Sequence, residues 1–170
     1  MGEDLRVDPP HEGDERAVLC GFLEYQRETL AWKCSGLSAA QLRVRAVPPS
    51  ELSLLGLVRH MTDVERGWFL GVVGGEDVRP FYWADDRRQD VDFAVDDADP
   101  DEAFRLWREA CARSREVVAS AESLDVAGVH RRNGSAYSLR WVLTHMIEEY
   151  ARHNGHADLL RERIDGATGE

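Results

Sequence analysis

The sequence predicts an all-α protein, most simply a four-helix bundle with a long crossover loop between its second and third helices. Three observations carry this expectation. Four long stretches repeat apolar residues at alternating spacings of three and four, as one face of an α-helix requires. Helix-starting Ser and Pro, and helix-stopping Gly, fall at the ends of those stretches. The length of 170 residues, with 43% hydrophobic and 31% charged residues, suits one domain with a real core.

The first helix spans residues 15–34, where Val18, Phe22, Tyr25, Thr29 and Trp32 form the stripe expected to be buried. Gly36 can stop it. The stretch "SAAQ" at 38–41 fits a capping box for a short helical turn, and "PPS" at 48–50 is a break. The second helix runs from Ser53 to Val73, with Leu54, Leu57, Met61, Val64 and Trp68 on its inner line. Ser50 or Ser53 can cap its start, and Gly74-Gly75 ends it.

Residues 74–100 are too long for a simple bundle turn. By composition they are a solvated acidic connector. Phe81, Tyr82 and Trp83 argue that part of it packs down, and "DVDFAV" at 90–95 allows a short strand. The third helix covers 101–123, with Pro100 suited to its first turn. Phe104, Trp107, Cys111, Ser114, Val118 and Ala121 share one line of it. The fourth starts near Ser138 and reaches Ile164, where "DGATG" terminates it. Residues 1–13 read as a disordered or loosely packed tail, 14–166 as a single domain and 167–170 as a short C-terminal tail.

Composition removes several function classes. A net charge of -11 and the lack of any Lys/Arg run oppose binding to a phosphate backbone, so no nucleic acid is expected. No apolar run approaches membrane length and the N-terminal stretch lacks an apolar core, so we expect a cytoplasmic protein. Cys20, Cys34 and Cys111 are scattered and odd in number, which argues for free thiols in a reducing compartment. By helical phase Cys20 and Cys34 need not be buried, whereas Cys111 falls on an apolar stripe. His11 in the tail and His130 before "RRNG" read as surface residues.

The chemistry lies in the last helix. The three-four spacing from Leu139 runs through Val142, Met146, Glu149, His153, His156 and Leu160. Thus a carboxylate and two imidazoles occupy a seam that should be apolar. Burying an ionised carboxylate is costly unless it is paired, and a cation is an economical partner. Residues four apart on a helix hold their β-carbons about 5–6 Å apart, so Glu149 and His153 can reach one divalent ion. His60, in "LVRHMTDVE", borders the apolar stripe of the second helix, and Gly56 and Gly67 on its side leave room. His60, Glu149 and His153 are therefore the candidate metal ligands. His145 has the right spacing to Glu149 but falls off the seam by one position, toward solvent. His156 is either a fourth ligand or a substrate-facing base, and so the candidate catalytic residue. A metal-free buried polar network is the alternative reading.

Three segments resemble the DinB-like superfamily: "LAWKCSGLS" (30–38), "LSLLGLVRHMTDVERGWF" (52–69) and "SLRWVLTHMIEEYARHNGHADLLRERIDGATG" (138–169). The resemblance implies a four-helix bundle holding a divalent metal, zinc or nickel, through three side chains. One comes from the second helix and two, spaced by four, from the last; His60, Glu149 and His153 match these positions. Many members carry His where this chain has Glu149, and a carboxylate there is similar to the mycothiol-dependent maleylpyruvate isomerase branch. His156 matches a position that is often Gln.

Members with assigned activities use low-molecular-weight thiols such as mycothiol or bacillithiol. Lys33 is the only lysine among 21 basic residues, the skew of a GC-rich genome, which fits mycothiol as co-substrate. The resemblance therefore implies a metal-dependent thiol S-transferase or thiol-dependent isomerase, with a small-molecule thiol and an electrophilic acceptor as partners. Arg79 or Arg152 offer cations for their carboxylates. The alternatives are a metal-assisted hydrolase with His156 or Glu148 as proton carrier, and a non-enzymatic metal-binding stress-response module. Relatives are often dimers, and a homodimer could form through exposed aromatics such as Trp107 or Trp141.

Overall fold

Each helix begins on a side chain that can satisfy its first amides. In the computed structural model, which describes residue 4 and residues 6–82 and 91–169, α1 (Glu15–Cys34) is capped by Asp14, whose carboxylate accepts from the Ala17 amide at 2.7 Å. The short α2 (Ala39–Leu42) carries the reciprocal Ser38/Gln41 capping box. Ser53 caps α3 (Leu54–Glu65), which continues as a π-helical stretch, Arg66–Val73, up to Gly74. Asp99 caps α4 (Pro100–Ser120), with Pro100 in its first turn. Ser138 caps α5 (Leu139–Asp165), and Gly166, at φ +76°, supplies the left-handed stop.

The helices pack as an all-α bundle, with α1 along α5, α3 along α4, and α3 also touching α5. Among the described residues one antiparallel hairpin, β1 (Ala127–Val129) with β2 (Ala136–Ser138), forms and leads directly into α5. The repeat rules did not foresee it. It lies on the π-helical stretch so closely that a β-carbon on Gly128 would sit 1.6 Å from the Val72 carbonyl oxygen. No helix among the described residues is long and apolar enough to cross a membrane.

The buried face of α1 is rotated from the expected one, of which Thr29 alone is buried. Leu23, Arg27, Leu30, Lys33 and Cys34 point inward, while Phe22 is 45% exposed. Tyr25 and Trp32 are instead covered by the Arg6 guanidinium, which lies over both rings at 4.8 and 4.3 Å. The inward charges explain the shift. Arg27 makes a two-pronged pair with the fully buried Glu65, at 2.7 Å on each prong. Tyr150 donates its hydroxyl to Glu65 (2.8 Å), Trp107 donates to Tyr150 (2.9 Å), and Cys111 lies 3.7 Å from Glu65. Burial works against the Arg27 charge, and the Glu65 carboxylate overrides it, holding the guanidinium well above its ordinary pKa. Lys33 is likewise buried, against Asp158 and the Gly169 carbonyl.

This network also withdraws Trp107 from the surface, so it is no docking aromatic; Trp141 remains 42% exposed. Cys34 and Cys111 are buried and Cys20 is half-buried, all as free thiols.

The long connection is not simply a solvated acidic linker. Asp63 accepts from the Phe81 and Tyr82 amides at 2.8 and 2.7 Å. Arg59 lies over Tyr82 and donates to the Val91 and Ala94 carbonyls, and Arg66 lies over Phe81. Val91–Phe93 form a 3₁₀ turn and not a strand, and Asp92 and Val95 are buried. Trp83 and Asp90 fall outside the described residues. Both pinned ends of the connection thus meet the turn of α3 that carries His60.

Candidate metal centre

α3 and α5 meet where the polar side chains of both seams fall. His60 is on the second turn of α3, and Glu149 and His153 lie one turn apart on α5. The structure brings these three together: one ligand atom from each lies within 4.8 Å of the other two. His153 Nε2 is 3.5 Å from Glu149 Oε2, and the His60 and His153 rings are 4.7 Å apart at 60°.

Each imidazole has a group behind it. Asp92 Oδ2 stands 2.9 Å from His60 Nδ1. A buried carboxylate there accepts from Nδ1–H, which leaves the lone pair on Nε2. His156 Nδ1 is 3.3 Å from His153 Nδ1. Burial first, then the neighbouring His153 and Arg152, lower the His156 pKa. The carboxyl of Glu149 is held below its usual range, chiefly by the bond from His153, with the charges of His145, His153 and His60 adding to this against burial.

The donor set suits a divalent ion. Ligand atoms at about 2.0–2.1 Å from a tetrahedral ion stand roughly 3.4 Å from one another. The His153–Glu149 pair is already at that spacing, and since all three atoms lie within 4.8 Å of one another, no gap in the trio needs more than about 1.4 Å of side-chain movement to close. Two imidazoles and one carboxylate are donors that zinc and nickel both accept. A carboxylate fixing the far nitrogen of a ligating His is a recurrent companion of such sites.

The neighbours depart from expectation in part. His145 is not turned to solvent. It is wedged between Trp68 and Trp141, with ring centroids at 4.8 Å from each, and its Nε2 is 3.6 Å from Glu149 Oε1. His145, Glu148 and Glu149 form a second group with ligand atoms within 4.8 Å. Glu148, however, is half exposed and tied to Arg152, which also accounts for Arg152. His130 is half-buried against Trp68 and Tyr137 and is not a surface residue. Of the two glycines expected to leave room, Gly67 is open, whereas the Gly56 space is filled. A β-carbon on Gly56 would meet Phe93 Cδ1 at 2.5 Å, and that ring stacks on His60 at 5.9 Å. Asp92 was missed altogether, because one acid in an acid-rich stretch carries no local signal.

No curated protein matches the chain. The family model described as Mycothiol-S-transferase matches residues 18–166, a span that holds His60, Asp92, Glu149, His153 and His156, and the chain belongs to that family.

Proposed function

We propose that the protein is a divalent-metal-dependent S-transferase that moves a small thiol of the mycothiol type onto an electrophilic acceptor, with His60, Glu149 and His153 holding zinc or nickel. The observation that supports this best is the convergence of two imidazoles and a carboxylate from two helices, each imidazole backed by its own partner, in a chain of this family. A dication bound there acts as a Lewis acid that favours the thiolate form of a thiol at neutral pH.

The chain's own groups make that arrangement workable. Asp92 holds the proton at Nδ1 of His60, so that Nε2 is free to donate its lone pair. When His153 gives its Nε2 lone pair to the ion, its Nδ1 carries the hydrogen, and His156 Nδ1, 3.3 Å away, would accept it. This makes His156 a positioning residue. Glu149 stays ionised and supplies one negative charge against the two of the cation. Three protein donors leave room for the substrate sulfur. In the transfer the carbon–sulfur bond forms as the acceptor's leaving-group bond breaks, and the thiol proton passes to solvent.

The test is elemental analysis of untagged protein prepared without chelators, followed by single-turnover addition of mycothiol and an alkylating acceptor. We expect one divalent ion per chain and stoichiometric thiol consumption, both lost in His60→Ala and in His153→Ala. An unchanged metal content in His60→Ala removes that residue from the site. Metal-loaded protein that leaves the thiol untouched refutes the transferase reading.

A further inference from the structure

A separate hollow of about 250 Å³ opens between the π-helical stretch, the segment around Val78 and the hairpin end. Its wall includes Val64, Gly67, Trp68, Gly71, His130 and Arg132. Three observations mark it as built for a ligand.

The first is the floor. Gly67 has nothing within 4 Å of where a β-carbon would stand, and Gly71 has only ordinary contacts, the Arg66 carbonyl oxygen at 3.7 Å and Val78 at 3.9 Å. Bare backbone therefore faces the space. The second is an orphaned atom. His130 Nδ1 is buried and hydrogen-bonds to nothing among the described residues, although buried polar atoms nearly always have a partner. The third is charge. Asp63 is occupied by the Phe81 and Tyr82 amides, Glu76 by Arg113 and Arg131 by Asp77. Arg132 forms no ion pair with any described residue. Arg132 is thus a cation of this wall left without a described counter-charge.

We propose that the hollow binds a flat, apolar small molecule bearing a carboxylate, its ring against Trp68, its acid group on Arg132, and a polar substituent completing His130. The volume lies below the range of about 300–1,000 Å³ typical of drug-sized sites, so the ligand has one or two rings. The site is distinct from the metal centre but adjoins it: Trp68 also packs on His145, whose Nε2 lies 3.6 Å from Glu149. This goes beyond the S-transfer reading, because binding requires neither thiol nor transfer.

The experiment is titration calorimetry with 2-naphthoate and with uncharged 2-naphthalenemethanol, no thiol or acceptor being present. The acid should bind one per chain, about tenfold or more tighter than the alcohol, the scale of a charge-assisted hydrogen bond. Arg132→Gln, an exposed position, should bring the acid down to the level of the alcohol. Gly67→Leu should abolish binding of both while helical content and metal content stay as in the parent protein. Absence of saturable binding at millimolar 2-naphthoate overturns the proposal. So does equal affinity for acid and alcohol, or unimpaired binding in Gly67→Leu. Loss of transferase activity in the preceding test would leave this titration unchanged.

Discussion

Replacing Glu65 by Leu should expose how much the bundle depends on its buried polar network. Glu65 is fully buried and accepts two bonds from Arg27 and one from Tyr150. Leucine has similar bulk, so the change removes charge without leaving a large void. Arg27 would keep only its bond to Glu24 and would become a largely uncompensated cation in the interior. Breaking one side of a buried pair costs about 3–5 kcal/mol. A domain of this size is stable by only about 5–15 kcal/mol. At roughly 2–4 °C per kcal/mol, the melting temperature should fall by about 6–20 °C. Urea unfolding at pH 7 measures the loss directly. The double variant Arg27→Met with Glu65→Leu should recover most of it, since replacing both partners by apolar groups is close to neutral. A single-variant loss below about 1 kcal/mol, as for an exposed pair, would refute the reasoning. So would a double variant no more stable than Glu65→Leu.

Gly56→Ala should displace the Phe93 ring, which its β-carbon would meet at 2.5 Å. We expect a loss of about 1–3 kcal/mol by overpacking, together with weaker metal binding as the Asp92 turn moves; unaltered stability and metal affinity would show that the ring shifts freely. Glu149, whose folded pKa is depressed foremost by the bond from His153, contributes stability that is present above its unfolded value of about 4.5. That contribution is lost as pH falls through the lower folded value. In metal-free protein, the stability gap between wild type and Glu149→Gln should therefore narrow as pH falls below about 4.5, and a gap that widens below that pH would contradict the assignment. The thiol of Cys34 is pushed up to about 12 by burial, and burial also raises Cys111. A disulfide reagent at pH 8 should thus titrate half-buried Cys20 first and reach the other two only on unfolding. Rapid reaction of all three in the native protein would show the core to be open.

The helix boundaries were legible because capping is local: Ser38, Ser53, Ser138 and Gly166 each act within a few residues of themselves. The convergence of His60 with Glu149 and His153 could be anticipated for a related reason. Two of the three share one helix line, and the third breaks the border of another apolar stripe. The face of α1 was not legible, because Arg27 and Lys33 hold inward positions that polarity alone assigns to solvent. Their partners, Glu65 and Asp158, lie far along the chain. Asp92 was hidden in the same way, since its meaning comes from His60, 32 residues earlier. The hairpin strands are three residues each, too short for alternation to register. Gly128, which lets the hairpin settle on Val72, looks in the sequence like any other loop glycine.

The burial of Lys33 has a practical corollary. With its ε-amine enclosed beside Asp158, the one lysine of the sequence is withheld from acylating dyes and cross-linkers while the bundle is folded. Any modification detected at Lys33 would report that α1 and the end of α5 had come apart.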